Sequence, residues 1–176
     1  MTTLRKGCAY RRLERPYTRK SKYRKKAFIK ANPVLKVVRY DMGELDRVKF
    51  PYTLRLISKD TMQFRDNAIE SARMTCNRLL EIKIGKVGYH LKIRIYPHHV
   101  LRENPLASGA GADRMSTGMQ LSFGKPIGNA ARVKKGQIIF ELGIDKQHLE
   151  IGKRALKRAS YKIPGQAFIE VIENKV

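Results

Sequence analysis

Residues 88–97 read GYHLKIRIYP. Tyr89, Leu91, Ile93 and Ile95 alternate with His90, Lys92, Arg94 and Tyr96, the period-two pattern of a half-buried strand. One face belongs to a core. The other carries two cations, a histidine and a tyrosine, which suits an RNA-facing surface and an ordinary solvated strand face alike. Just upstream, residues 65–82 (RDNAIESARMTCNRLLEI) change period. Ala68, Ala72, Cys76 and Leu80 recur at helical spacing with Ile69 and Leu79 beside them, which predicts a helix. Asp66 is the candidate N-cap, Gly85 the left-handed stop, and the small residues allow close approach to a sheet. Cys76, on the apolar stripe, reads as a packed thiol.

Working outward, Val34–Tyr40 (VLKVVRY) and Tyr52–Ser58 (YTLRLIS) read as strands, and DMGELDRVKFP between them as a loop. Downstream, residues 127–144 (IGNAARVKKGQIIFELGI) read as two strands around a Lys134-Lys135-Gly136 turn. A second amphipathic helix is expected over about 146–161, with Asp145 as N-cap and Leu149, Leu156 and Ala159 inward. Its last turns carry Lys153, Arg154, Lys157 and Arg158, where cations suit the helix dipole and can reach phosphate. Pro164-Gly165 ends it, and QAFIEVI (166–172) is a closing strand.

Length and charge bound the function. The chain has 176 residues, with 38 Lys plus Arg against 15 Asp plus Glu, a formal charge of +23. Such a chain repels itself unless a polyanion neutralises it, and nucleic acid is the commonest. No apolar run is long enough to span a bilayer, and the start does not read as a secretory signal, so the expected compartment is the cytoplasm. Two cysteines, far apart, exclude a disulfide framework and a four-cysteine zinc site.

The charge is concentrated at the start. Residues 1–30 hold twelve Lys or Arg (among them Arg5, Lys6, Arg11, Arg12, Arg15, Arg19, Lys20, Lys22, Arg24, Lys25 and Lys26) against Glu14 alone. Tyr10, Tyr17, Tyr23 and Phe28 interleave with them. Residues 1–33 therefore read as a basic arm, and 34–176 as one domain. The aromatics either stack on RNA bases while the cations meet phosphates, or anchor the arm on its own domain.

Residues 102–118 (RENPLASGAGADRMSTG) lack periodicity and read as a flexible functional loop. Neither GxGxxG nor a P-loop pattern is satisfied. FGKPIG (123–128) reads as a further bend, in which Lys125 can meet phosphate. Catalytic constellations are missing from the pattern. His98 and His99 are adjacent, so in extended backbone they point to opposite sides and do not form one ligand site. No HExxH, CxxC or GxSxG spacing occurs. No catalytic residue, metal or cofactor is expected; a DNA-binding protein or an RNA-modifying enzyme are the alternatives.

GADRMSTGM (111–119), FGKP (123–126) and ARVKKGQ (131–137) together resemble the large-subunit ribosomal protein family called sixteen in bacteria and ten-e in archaea and eukaryotes. KVGYHLKIRIYPHHVLR (86–102) and the basic, tyrosine-studded start carry the same likeness, which covers nearly the whole chain. The lack of the longer tail of eukaryotic members suits the archaeal type. The resemblance implies an α+β fold, a two-layer α/β sandwich of the hammerhead type with two helices packed on a mixed or antiparallel sheet, in agreement with the elements read above. It implies seating on large-subunit rRNA between the central protuberance and the stalk base, beside neighbouring ribosomal proteins and tRNA in the aminoacyl and peptidyl positions. It assigns the glycine-rich loop, here Ser108, Gly109, Ala110, Gly111, Ala112, Asp113, Arg114 and Met115, to the tRNA and peptidyl-transferase side. The expected rRNA contacts are the arm cations with Tyr17 and Tyr23, together with Lys92, Arg94, Lys125, Lys134, Lys135, Lys153, Arg154 and Lys157.

Overall fold

The computed structural model describes residues 6–13, 20–45, 49–103, 111 and 124–174. Among these residues, eight strands and two helices make an α+β fold. The strands are β1 (Asp41–Gly43), β2 (Tyr52–Ser58), β3 (Met62–Arg65), β4 (Tyr89–Ile93), β5 (His99–Glu103), β6 (Lys125–Val133), β7 (Ile138–Ile144) and β8 (Ala167–Glu173). The helices are α1 (Asp66–Lys83) and α2 (Leu149–Ser160). A five-stranded sheet has the order β1-β4-β7-β2-β8 and a three-stranded sheet the order β3-β6-β5. Every ladder is antiparallel.

The alternation in 89–95 is what it promises. Tyr89, Leu91, Ile93 and Ile95 are buried, although the ladder itself ends at Ile93. They join Leu54 and Leu56 of β2, Phe140 and Leu142 of β7, and the buried stripes of both helices in one core. On α1 that stripe is Ile69, Ala72, Cys76 and Leu80, so Ala68 sits at its margin rather than within it. Gly85 takes φ +87 at the helix end as expected, its N–H bonded to the Glu81 carbonyl. On α2 the inward residues are Gly152, Ala155, Leu156 and Ala159, with Leu149 half-buried. A Cβ on Gly152 would stand 2.4 Å from Ile144 Cδ1 and 3.2 Å from Leu142 Cδ2, so glycine sets how closely α2 lies on the large sheet.

Several expectations give way to the observed geometry. Val34–Tyr40 forms no ladder among the described residues, although the Ile93 N–H of β4 donates to the Tyr40 carbonyl at 2.8 Å. The N–H groups of Lys36 and Val38 donate instead to the Asp66 and Glu70 carboxylates on α1, at 3.3 Å each. Side-chain acceptors thus take the place of a ladder, and Val34 and Val38 stay exposed. The paired strand is Asp41–Gly43, inside the expected loop; Gly43 has φ +85 and lies against the Tyr89 carbonyl. Asp66 is not an N-cap. It is the first helical residue, buried, with Oδ1 accepting from the Asn67 N–H at 2.8 Å. Asp145 makes no side-chain cap either. A short 3-10 turn over Lys146–His148 follows it, and α2 begins only at Leu149.

The two strands of 125–144 are present, but they are not a hairpin. β6 pairs with β3 in the small sheet and β7 pairs with β2 in the large one. Residues 52–65 and 130–144 are thus the two legs of one antiparallel ribbon, bent where it passes from sheet to sheet. At the bend the Gly136 N–H donates to the Ser58 carbonyl at 2.8 Å and the Ser58 N–H to the Gln137 carbonyl at 3.1 Å. The expected Lys134-Lys135-Gly136 turn is present, with the Gln137 N–H on the Lys134 carbonyl at 3.1 Å and Gly136 at φ +80, and it carries the chain from one sheet to the other. FGKPIG is no bend beyond Gly124, because β6 starts at Lys125, and β5 takes in Arg102 and Glu103, which the sequence pattern assigns to the loop. His99 is a residue of β5.

Candidate nucleic-acid interface

The described parts of the basic N-terminal segment are held on the body by polar contacts to all three strands of the small sheet. On β3, the Gln63 N–H donates to the Arg11 carbonyl at 2.8 Å, and the Gln63 side-chain amide donates to the Arg12 carbonyl at 2.7 Å. The Arg65 guanidinium lies 5.0 Å from the Tyr10 ring centre. At the end of β5, the Tyr10 O–H donates to Glu103 Oε2 at 2.9 Å. The Lys20 carbonyl lies 3.1 Å from His98 Nε2, just before β5. On β6, the Asn129 side-chain amide donates to the Pro33 carbonyl at 3.0 Å. Ala27 and Ile29 are buried in the same stretch.

These anchors satisfy backbone carbonyls of a segment with little secondary structure of its own, two short 3-10 turns over Gly7–Tyr10 and Arg24–Lys26. They leave its charged ends outside. Lys6, Arg11, Arg12, Lys22, Arg24, Lys25 and Lys26 are exposed, as is Tyr23, with Lys26 Nζ 5.6 Å from its ring centre. Among the described residues no carboxylate pairs with these cations. Lys134 and Lys135 stand exposed at the ribbon bend, Lys125 at the start of β6 opposite Glu103, and Lys153, Arg154 and Lys157 along the outer side of α2. Arg5, Arg15, Tyr17 and Arg19 lie outside the described residues, as do Ser108, Gly109, Ala110, Ala112, Asp113, Arg114 and Met115; Gly111 is described and exposed.

The polar face of β4 is built differently. Lys92 sits in register between Asp41 of β1 and Glu141 of β7, and Glu141 sits opposite Arg55 of β2, which faces Glu170 of β8. One rung across five strands therefore alternates in sign. Lys92 Nζ is 3.3 Å from Asp41, and Arg94 Nε is 3.4 Å from Glu141. Arg55 Nε is 3.5 Å from the other Glu141 oxygen, an ion pair without hydrogen-bond alignment. His90, expected on an open face, is buried with Nε2 3.4 Å from Asp41. Cross-strand carboxylates thus offset the cations of this face within the protein itself.

The remaining titratable groups argue for structure rather than chemistry. Burial pushes the Cys76 thiol up to about 12, which leaves it protonated and inert. Burial, then the nearby Arg132 and His98, lowers the His99 pKa, so its ring is neutral at pH 7. No group of three or more metal-ligating side chains occurs among the described residues. Sequence reasoning missed the anchors Gln63, His98 and Asn129. Their only trace is an amide or imidazole inside or beside an otherwise apolar strand.

The family model described as ribosomal protein L16p/L10e matches residues 18–170. A protein of Archaeoglobus fulgidus named large ribosomal subunit protein uL16 is 46% identical over 155 residues, 88% of this chain and 85% of that one. Proteins of the same name from Methanococcus maripaludis (44% over 172 residues, 98% and 96%) and Methanococcus aeolicus (47% over 162 residues, 92% and 90%) are similarly alike. With a match running through both sheets and both helices, the chain belongs to the ribosomal protein L16p/L10e family.

Proposed function

We propose that this chain is a non-enzymatic constituent of the large ribosomal subunit that binds rRNA chiefly through residues 6–30 and the ribbon bend at Lys134-Lys135. The carrying observation is the density of exposed cations on a segment whose backbone, not its charge, is held by the body. Tyr10 anchors it, while Tyr23 and its neighbouring cations face outward, where a base can stack and phosphates can pair. The remaining reading, from family resemblance, seats the protein between the central protuberance and the stalk base. There residues 106–118, with Arg114 foremost, reach toward tRNA in the peptidyl-transferase region.

Binding of this kind releases counterions, so affinity for a large-subunit rRNA fragment falls steeply with salt. A chain lacking residues 1–30, checked for folding by circular dichroism, is expected not to co-sediment with large subunits. Undiminished co-sedimentation of the folded truncated chain overturns the reading. A preference for duplex DNA over the rRNA fragment at physiological salt overturns it as well.

A further inference from the structure

We propose that the outer edge of β8 is a docking site for a protein, and that its occupant is an extended segment of alternating apolar and acidic side chains that adds as a further strand.

Edge strands expose unpaired backbone N–H and C=O groups, and stable proteins blunt them by shortness, lysine, proline or bulges. β1, at the opposite end of the large sheet, is three residues long. β8 runs for seven, AFIEVIE, with no proline, no lysine and an uninterrupted register against β2. Among the described residues no strand lies beyond it. Phe168 and Val171 are each 42% exposed. Glu170 and Glu173 put charge on this edge, but its length and unbroken register still leave a row of backbone groups on which a further strand can add.

The groove beside this edge states the chemistry of the cover. Its floor is Ile151 of α2 with Ile169 and Val171 of β8, and its wall is Lys153, Arg154 and Lys157. Lys153 is tied to Glu150 at 3.0 Å, which leaves the wall cationic overall. An added strand turns alternate side chains toward that wall. In a segment that alternates, the acidic set meets the lysines and arginine there, and the apolar set lies on the opposite face beside Phe168 and Ile172. RNA suits this place less well, because phosphates cannot complete a peptide ladder. The three helix cations, read from sequence as rRNA contacts, are thereby assigned to a protein neighbour. This assignment goes beyond the rRNA reading and does not depend on it.

The test uses the full chain, isotope-labelled, with three probes: a Val–Glu alternating heptapeptide, its Val–Lys counterpart and a single-stranded RNA oligomer. The expected result is that only the Val–Glu peptide slows hydrogen exchange of the outward amides of β8 and shifts their resonances. Val171→Lys, which places a gatekeeper charge on the edge, removes that binding while the far-ultraviolet spectrum stays the same. Reversing the wall (Lys153→Glu, Arg154→Glu, Lys157→Glu) transfers the preference to the Val–Lys peptide by about tenfold. Protection of the β8 edge by RNA alone, equal response to both peptides, or no protection by any probe overturns the proposal. Retained rRNA-fragment binding by Val171→Lys separates its failure from failure of the rRNA reading.

Discussion

Two regions of this molecule are rich in lysine and arginine, and they use them in opposite ways. On the large sheet, Lys92, Arg94 and Arg55 stand among Asp41, Glu141 and Glu170, and the strand register enforces that neighbourhood. Their charge is offset before any ligand arrives. On the N-terminal segment the cations have no such rung. Hydrogen bonds from Gln63 and Asn129 and the Tyr10–Glu103 contact hold main chain and Tyr10, while Lys22, Arg24, Lys25 and Lys26 stand exposed. Residue type alone therefore does not mark a polyanion site. What matters is whether tertiary neighbours have already supplied the counter-charge.

The most direct challenge to this contrast is charge reversal on each side of it. Lys22→Glu, Arg24→Glu, Lys25→Glu and Lys26→Glu together are expected to weaken rRNA-fragment binding by about 100-fold or more at moderate salt, with the melting temperature nearly unchanged. Lys92→Gln with Arg94→Gln is expected to change affinity by less than about threefold, since those charges are already neutralised. Filter binding over a salt series reads both, and equal losses would erase the distinction.

A second experiment works on the sheet side alone. Gly43→Ala forces a positive φ on a residue with a Cβ and sets that Cβ 2.2 Å from the Tyr89 carbonyl oxygen. Chemical denaturation should show a loss of about 2–3 kcal/mol. RNA affinity per folded molecule should remain at the wild-type level, because β1 belongs to the self-neutralised face. A parallel fall in affinity would show that the two regions are coupled.

The smallest effect concerns the tie between residues 34–40 and α1. The Arg73 guanidinium, bonded to Glu70 at 2.9 Å through Nε, holds the Glu70 carboxyl below the usual carboxylate range, with the Val38 N–H helping. A lowered carboxyl pKa contributes stability at neutral pH. That contribution fades as the pH falls below the unfolded value of about 4.3 and through the folded one. Glu70→Gln is expected to lose about 1–2 kcal/mol at pH 7 and to flatten the acid limb of the stability–pH curve. Identical acid limbs in the two proteins would count against the pair.

Much of this was legible in the chain. The alternation of 89–95 and the four-residue spacing of 68–80 named the core faces because burial is periodic in strands and helices and both runs are long enough to show it. The exposed row on α2 was legible for the same reason. Local signals misled where a long-range partner decided. VLKVVRY has strand composition, yet the carboxylates of Asp66 and Glu70 took its N–H groups. Lys134-Lys135-Gly136 has turn composition, yet the strands on either side found different partners.

By itself, the sequence determined the class of fold, the elements that face the core, and a charge that demands a polyanionic partner, since periodicity and composition are properties of the chain alone. The three-dimensional arrangement settles which described cations lack a counter-charge, that the described N-terminal residues lie along the small sheet, and that no described strand lies beyond the seven residues of β8. Those outcomes depend on strand register and on polar groups meeting across tens of residues of chain, and no local pattern carries that information.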